Sequence, residues 1–128
     1  MTRDRRERIE VAEVDLIEFF CVLPEPRSQE DIDMFETPVF VKRVDGLVLR
    51  FSLSMLDFDL GLELYVPGQE APVLRLHLDE VSTLRIERSG GRPWLRASSW
   101  TNGSFELAVE PTIEVRWEED RSPRMQGY

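Results

Sequence analysis

Apolar and polar residues alternate along most of the chain between Pro38 and Trp117, and turn residues interrupt them at short intervals. Alternation with a period of two predicts β-strands that bury one face. Asp45-Gly46 predicts a tight hairpin turn, because both residues tolerate a positive φ. The predicted strands cover 39–44, 47–55, 58–66, 73–78, a segment from Val81 through Ile86, a segment around 94–97, 104–110 and 113–117.

Residues 9–23 do not follow one strand register. Ile9 and Val11 alternate in one register and Val14 and Leu16 in another, so a single strand would need a bulge. The segment Asp15-Leu16-Ile17-Glu18 has the spacing of a capping box with Asp as the cap, and Pro24 would end the helix that it starts. We therefore expect a short strand near 8–13 and a short helix near 16–22.

These elements predict a mainly β fold, with α+β at the margin of the class. The expected architecture is a single-domain antiparallel β-sandwich, or a partly open barrel, of about eight strands with one short N-terminal helix. Residues 1–8 carry four arginines and nothing to bury, so they are expected to form a flexible leader. The β-rich domain is expected over 9–117, followed by a charged tail over 118–128.

The charge balance limits the classes of partner. With 25 Asp and Glu against 16 Lys and Arg, the chain has a formal net charge of -9, which repels phosphate backbones and attracts basic partners. Direct binding to nucleic acid is therefore not expected. The single cysteine and the absence of a signal-peptide pattern favour a cytoplasmic protein, and the apolar stretch 16–23 is too short to span a membrane.

The sequence offers few residues that could act as a nucleophile, a general base or a zinc ligand. The only histidine, His77, is predicted on the solvent face of a strand beside Arg75, and Cys21 is predicted to be a small buried apolar residue beside Phe20. A Cys21–His77 dyad has no support from the pattern. One His and one Cys cannot supply a zinc site of thiolates and imidazoles. We therefore expect no catalytic residue, no cofactor and no enzymatic activity.

Carboxylates could in principle bind calcium, since Ca²⁺ takes oxygen ligands. The candidate groups are Glu30, Asp31 and Asp33, or the pair Asp57 and Asp59 on either side of Phe58. Neither group lies in a glycine-containing loop of the EF-hand type. Solvated acidic loops are the better interpretation, and no metal site is expected.

Tryptophan residues are the candidate anchors for a protein contact. Trp94 and Trp100 are six residues apart, so simple alternation places both on the same face of one strand. Burial in the core is the favoured interpretation for each. A tryptophan on the solvent face would instead be an interface anchor, because tryptophan contributes much of the binding energy in protein contacts.

The whole-chain pattern resembles the small β-rich immunity proteins that bacteria pair with polymorphic toxins. The resemblance is carried by the apolar helix ending at Pro24, the Asp45-Gly46 hairpin, the segment Val73–Ile86, and the closing Gly-Ser-Phe-Glu-Leu and Ile-Glu-Val strands. It implies a non-catalytic inhibitor that occludes a protein partner, often a basic toxin, through an acidic patch. The candidate partner-binding residues are Glu30, Asp31, Asp33, Glu36, Asp57 and Asp59.

Two other functions fit the same pattern. The chain could be a structural or oligomeric module of a bacterial assembly, or a β-sandwich that binds a small ligand. A large empty apolar pocket would favour ligand binding, whereas a filled core would oppose it. The sequence leaves the oligomeric state open.

Overall fold

The computed structural model describes residues 11–25, 38–54, 58–101 and 103–118. Eight antiparallel strands form two four-stranded sheets, and in each sheet the strands follow chain order. Sheet 1 contains β1 (Val39–Val44), β2 (Leu47–Ser54), β3 (Asp59–Tyr65) and β4 (Leu74–Leu78). Sheet 2 contains β5 (Val81–Ser89), β6 (Arg92–Ser99), β7 (Ser104–Ala108) and β8 (Glu114–Glu118). The predicted mainly β class and the sandwich alternative are confirmed.

The core lies between the sheets, where the predicted alternation holds. In sheet 1, Phe51 pairs with Leu62 and Leu53 with Leu60, so that their side chains share the inner face. Leu84, Leu95 and Leu107 supply the facing layer from sheet 2, and all three are fully buried. Burying one such side chain contributes about 1.5–3 kcal/mol, so this apolar layer holds the two sheets together.

The single described helix, α1, begins earlier than expected. It covers Glu13–Phe20, with Ala12 as its N-terminal cap. The Asp15 carboxylate accepts a hydrogen bond from the Ala12 backbone N–H at 2.8 Å, so Asp15 lies inside the first turn and the prediction that it caps the helix was wrong. Residues 11 and 12 form no strand, which contradicts that part of the strand predicted near 8–13; residues 8–10 lie outside the described residues.

α1 ends at Phe20, with Cys21 as its C-terminal cap, whereas the expected helix continued to residue 22. Cys21 adopts the left-handed conformation, with φ 59°, and its backbone N–H donates to the Ile17 carbonyl at 2.8 Å. This turn leaves the thiol exposed, so the predicted burial of Cys21 was wrong. Upstream, the ring of Phe20 packs on Phe40 and Phe51, with centroid separations of 5.3 and 5.1 Å. The helix is therefore attached to sheet 1 through an aromatic cluster.

A lysine lies on the inner face of sheet 1. Lys42 pairs with Leu49 across β1 and β2, and only 13% of its side chain is exposed. Its Nζ lies 3.0 Å from Oε2 of Glu110, which follows β7 in the other sheet. The ion pair therefore links the two sheets at the margin of the core and gives the lysine a charged partner.

β5 contains a bulge that allows two residues to be buried on the same face, although strict alternation would place them on opposite faces. The register shifts between Val81 and Thr83, and both Val81 and Leu84 are completely buried although they are three positions apart. The Ser82 hydroxyl, also buried, donates to the Ser98 carbonyl at 3.2 Å. The extra residue is thus accommodated at the start of the second sheet.

Within the described ranges, no helix has the length and apolarity that crossing a membrane requires. The expected leader over 1–8 and most of the expected tail over 118–128 lie outside the described residues. The assignment of one β-rich domain to 9–117 remains a prediction.

Candidate protein-binding surface

One end of the sandwich gathers carboxylates around an exposed tryptophan. β4 ends at Leu78 and β5 begins at Val81, so a link of two residues joins the sheets there. β3 begins and β6 ends at the same place, because β3 pairs with β4 and β6 with β5. We call this surface the acidic end and define it by Asp59, Asp79, Glu80 and Trp100.

Hydrogen bonds hold the backbone of the acidic end. The Trp100 N–H donates to the Glu80 carbonyl at 3.1 Å, and the Val81 N–H donates to the Phe58 carbonyl at 2.8 Å. The Ser99 hydroxyl donates to the Asp79 carbonyl. Glu80 and Phe58 both have positive φ, at 49° and 58°, a conformation that is unfavourable for side chains larger than glycine. The surrounding bonds stabilise this strained geometry and hold the side chains in place.

The two tryptophans of the sixth strand have different environments. Trp94 is 5% exposed, whereas Trp100 is 52% exposed because β6 ends at Ser99 and the alternation stops before it. Trp94 is therefore buried as expected, although not between the sheets, and the expected burial of Trp100 was wrong. Trp94 shares its face with Arg96, the face of sheet 2 that points away from the core. Its indole N–H donates to the Ser89 carbonyl at 3.2 Å.

Arginine and glutamate side chains cover Trp94 on that outer face. Arg96 lies 2.8 Å from Glu87 and 3.1 Å from Glu106, and Arg116 lies 2.8 Å from Glu114. The Nε of Arg96 is buried and contacts the Glu106 carboxylate as an ion pair without hydrogen-bond geometry. We call this set the sheet 2 lattice; its members are Arg85, Glu87, Arg92, Arg96, Glu106, Glu114 and Arg116. Because opposite charges alternate within it, this face carries little net charge.

The outer face of sheet 1 contains an open cleft of about 400 Å³ around Gly61. Gly61 pairs with His77, and Arg50 and Arg75 lie at the cleft. The predicted exposure of His77 is correct, since 56% of its side chain is accessible. Its Nε2 lies 2.7 Å from Oδ1 of Asp79. This face therefore presents the guanidinium groups of Arg50 and Arg75 next to the acidic end.

Glu63 organises the remainder of that face. One carboxylate oxygen accepts a hydrogen bond from the Tyr65 hydroxyl at 2.8 Å, and the other accepts one from Arg75 Nε at 3.1 Å. The hydrogen bond to Glu63 raises the pKa of the Tyr65 phenol above its usual value, because ionisation would remove the donated proton and place two negative charges together.

A second open cleft, also of about 400 Å³, lies between α1 and sheet 2. Asp15 and Glu18 line one side and Arg85 and Arg88 the other, with Phe19 among the apolar residues. Both clefts are open to solvent, and the space between the sheets is filled by buried apolar side chains. Within the part of the chain that the structure describes, neither of these clefts is the large apolar pocket that a small-ligand-binding sandwich would use.

Of the six residues predicted to bind a partner, Asp59 lies in the acidic end. The other five, Glu30, Asp31, Asp33, Glu36 and Asp57, lie outside the described residues. The sequence analysis missed Asp79 and Glu80. These two residues could have been found from the break in the apolar alternation between Leu78 and Val81, because that break marks the link between the two sheets.

Comparison with known proteins adds one structural likeness. No protein-family model matches the sequence, and no curated protein matches it. A solved structure titled "Contact-dependent growth inhibition toxin - immunity protein complex from Klebsiella pneumoniae 342" contains a chain with a TM-score of 0.72 and 18% sequence identity to this one. The match covers 86% of this chain and 95% of that chain. The protein therefore has the fold of a chain in a toxin–immunity complex, in agreement with the resemblance found in the sequence.

Proposed function

We propose that this protein is an immunity protein that neutralises a cognate toxin by binding it through the acidic end. The observation that carries the proposal is Trp100, which is half exposed beside the carboxylates Asp59, Asp79 and Glu80. The likeness to a chain of the Klebsiella complex supports an immunity role. In this role the chain acts by occlusion, without catalysis.

Trp100 has the properties of an interface anchor. A large aromatic side chain on the surface loses little conformational freedom on binding, and tryptophan is enriched among residues that dominate binding energy. The backbone N–H of Trp100 is held by the Glu80 carbonyl at 3.1 Å, and the Thr101 N–H donates to the Ser99 hydroxyl at 2.9 Å. This preorganised backbone lowers the entropy lost when a partner docks.

The carboxylates supply electrostatic attraction. Asp79 and Glu80 are exposed, and Asp59 is half-buried with its Oδ1 accepting the Glu80 N–H at 3.4 Å. With a formal net charge of -9, the whole chain attracts a cationic toxin at long range. At short range, the carboxylates that surround Trp100 then favour docking of a basic surface of the toxin onto the acidic end.

The test partner is a toxin-like protein, to be sought first as the product of the gene immediately upstream of this one. Co-expression should restore the growth of cells that produce the toxin, and the purified proteins should bind. Trp100→Ala should weaken the affinity roughly thirty-fold or more, the loss typical of a central anchor. Trp117→Ala is the matched control, because Trp117 is 51% exposed but lies on the edge strand β8.

Charge is tested by association kinetics at increasing salt. The association rate constant should fall as ionic strength rises, and Glu80→Gln should flatten this dependence more than Glu118→Gln does. Failure of the chain to bind or neutralise the toxin would overturn the proposed function. Unchanged affinity in both Trp100→Ala and Glu80→Gln would show that the toxin binds elsewhere.

A further inference from the structure

A histidine and two aspartates converge on the outer face of sheet 1. Asp59 is the first residue of β3, His77 lies in β4, and Asp79 follows β4. One ligand atom from each side chain can be chosen so that all three atoms lie within 4.8 Å of one another. His77 Nε2 lies 2.7 Å from Oδ1 of Asp79. We propose that these three residues form a binding site for a divalent transition-metal ion.

The donor set selects the class of ion. An imidazole nitrogen suits zinc, copper, iron and nickel, whereas calcium and magnesium prefer oxygen ligands throughout. Two carboxylates neutralise the charge of one divalent ion, and the imidazole provides a ligand that distinguishes this site from an ordinary group of surface acids. Three protein ligands leave a coordination position for water, as in open zinc sites.

The surrounding structure positions the three ligands. His77 pairs with Gly61, and both residues line the open cleft on this face. The Glu80 N–H donates to Oδ1 of Asp59 at 3.4 Å, and the carbonyl of Asp79 is held by the Ser99 and Thr101 hydroxyls. The first bond orients the Asp59 carboxylate, and the other two fix the backbone from which the Asp79 side chain extends; outer hydrogen bonds that orient ligands strengthen metal binding.

Coordination requires a redistribution of the histidine proton but no further reactant. When neutral His77 donates from Nε2 to Asp79, that nitrogen carries the ring proton. On metal binding Nε2 would release this proton to solvent and Nδ1 would take up one from solvent, so that the imidazole stays neutral and the lone pair of Nε2 becomes available to the ion. The carboxylates of Asp59 and Asp79 bind in their ionised form.

His77 is the only histidine among 128 residues, which allows a direct test. Zn²⁺ is titrated into the full chain, without a toxin, while the imidazole nitrogen resonances are followed by NMR. We expect a shift of Nε2 that saturates at one ion per chain. Asp59→Asn and Asp79→Asn should each weaken binding at least about tenfold, because each removes a charged ligand. Glu118→Gln, in β8, is the control and should bind as the unmodified chain does.

Thermal unfolding gives a second measurement. Zn²⁺ should raise the Tm of the unmodified chain, since a ligand that binds the folded state stabilises it, and His77→Gln should remove this increase. An unmoved imidazole signal at millimolar Zn²⁺ would overturn the proposal. Equal binding by the unmodified chain and both Asp→Asn variants would also overturn it, because His77 alone would then be the ligand. The chain is tested alone, so these outcomes are independent of the toxin experiment.

Discussion

The guanidinium carbon of Arg116 lies over the ring of Trp94, 4.6 Å from its centroid. Arg92 contributes a second guanidinium at 5.1 Å. Trp94 is therefore buried on the outer face of sheet 2 by charged side chains, outside the apolar core between the sheets. Cation–π attraction and the aliphatic stems of the arginines both contribute to this cover.

Removing the cover should expose the tryptophan. In a background with Trp100→Phe and Trp117→Phe, Arg116→Ala should shift the fluorescence emission of Trp94 to longer wavelength and reduce the free energy of unfolding by about 0.5–1 kcal/mol. Urea denaturation followed by fluorescence measures both effects. Arg50→Ala, an exposed arginine on sheet 1, is the control. Unchanged emission in Arg116→Ala would mean that Arg116 does not shield the ring.

Because Lys42 is largely buried and its partner Glu110 is half exposed, Glu110→Gln should destabilise the protein more than Lys42→Met does. Glu110→Gln leaves a lysine with 13% exposure without its partner and should cost about 1 kcal/mol, a value reduced by the partial exposure of Glu110. Lys42→Met removes the charge and keeps the apolar stem, so its cost should stay within about 0.5 kcal/mol. Chemical denaturation compares the two variants. A larger loss for Lys42→Met would contradict this account.

Cys21 ends α1 in the left-handed conformation, with φ 59°, where glycine is the favoured residue. Cys21→Gly should increase the free energy of unfolding by about 0.5–1 kcal/mol, because glycine adopts this geometry without steric cost. Cys21→Val should decrease it, since a β-branched side chain is disfavoured at positive φ. Thermal unfolding under reducing conditions measures both effects. If Cys21→Val stabilises the protein as much as Cys21→Gly does, the left-handed conformation of Cys21 is not the cause.

Tyr65 should titrate above the usual tyrosine pKa of 10.0, because its hydroxyl donates to Glu63. The folded state favours the neutral phenol, so the stability from this contact is complete below the unfolded pKa. It is lost as the pH rises through the raised folded pKa. Ultraviolet titration of the Tyr128→Phe variant isolates Tyr65 from the second tyrosine. Adding Glu63→Ala should lower the pKa, and an unchanged titration would exclude Glu63 as the cause.

The strands were predictable because one face of each is buried. Val39–Val44 was predicted to the residue, and the predicted 47–55 overlaps Leu47–Ser54 almost completely. Hydrophobic alternation carries this information locally. The start of the helix was predicted wrongly because an Asp can accept a backbone N–H either as the N-terminal cap or three residues after it. Asp15 does the latter, and accepts the N–H of Ala12.

The candidate site was less accessible from sequence. Asp79 and Glu80 are unremarkable acids in the chain, and they become part of one surface only because a link of two residues folds sheet 2 onto sheet 1. Trp94 and Trp100 could not be separated by periodicity, because the strand ends between them at Ser99. The packing of Arg92 and Arg116 over Trp94 produces no periodic pattern in the sequence, so it could not be predicted from alternation.

Among the described strands, each pairs with its neighbours along the chain and with no other. Such a meander closes short loops, which cost little chain entropy, and it needs no pairing between distant segments. Assembly can therefore advance hairpin by hairpin as the polypeptide leaves the ribosome, with the Asp45-Gly46 turn available first. From this topology we expect the docking of one finished sheet on the other, across the Asp79-Glu80 link, to be a late event in folding.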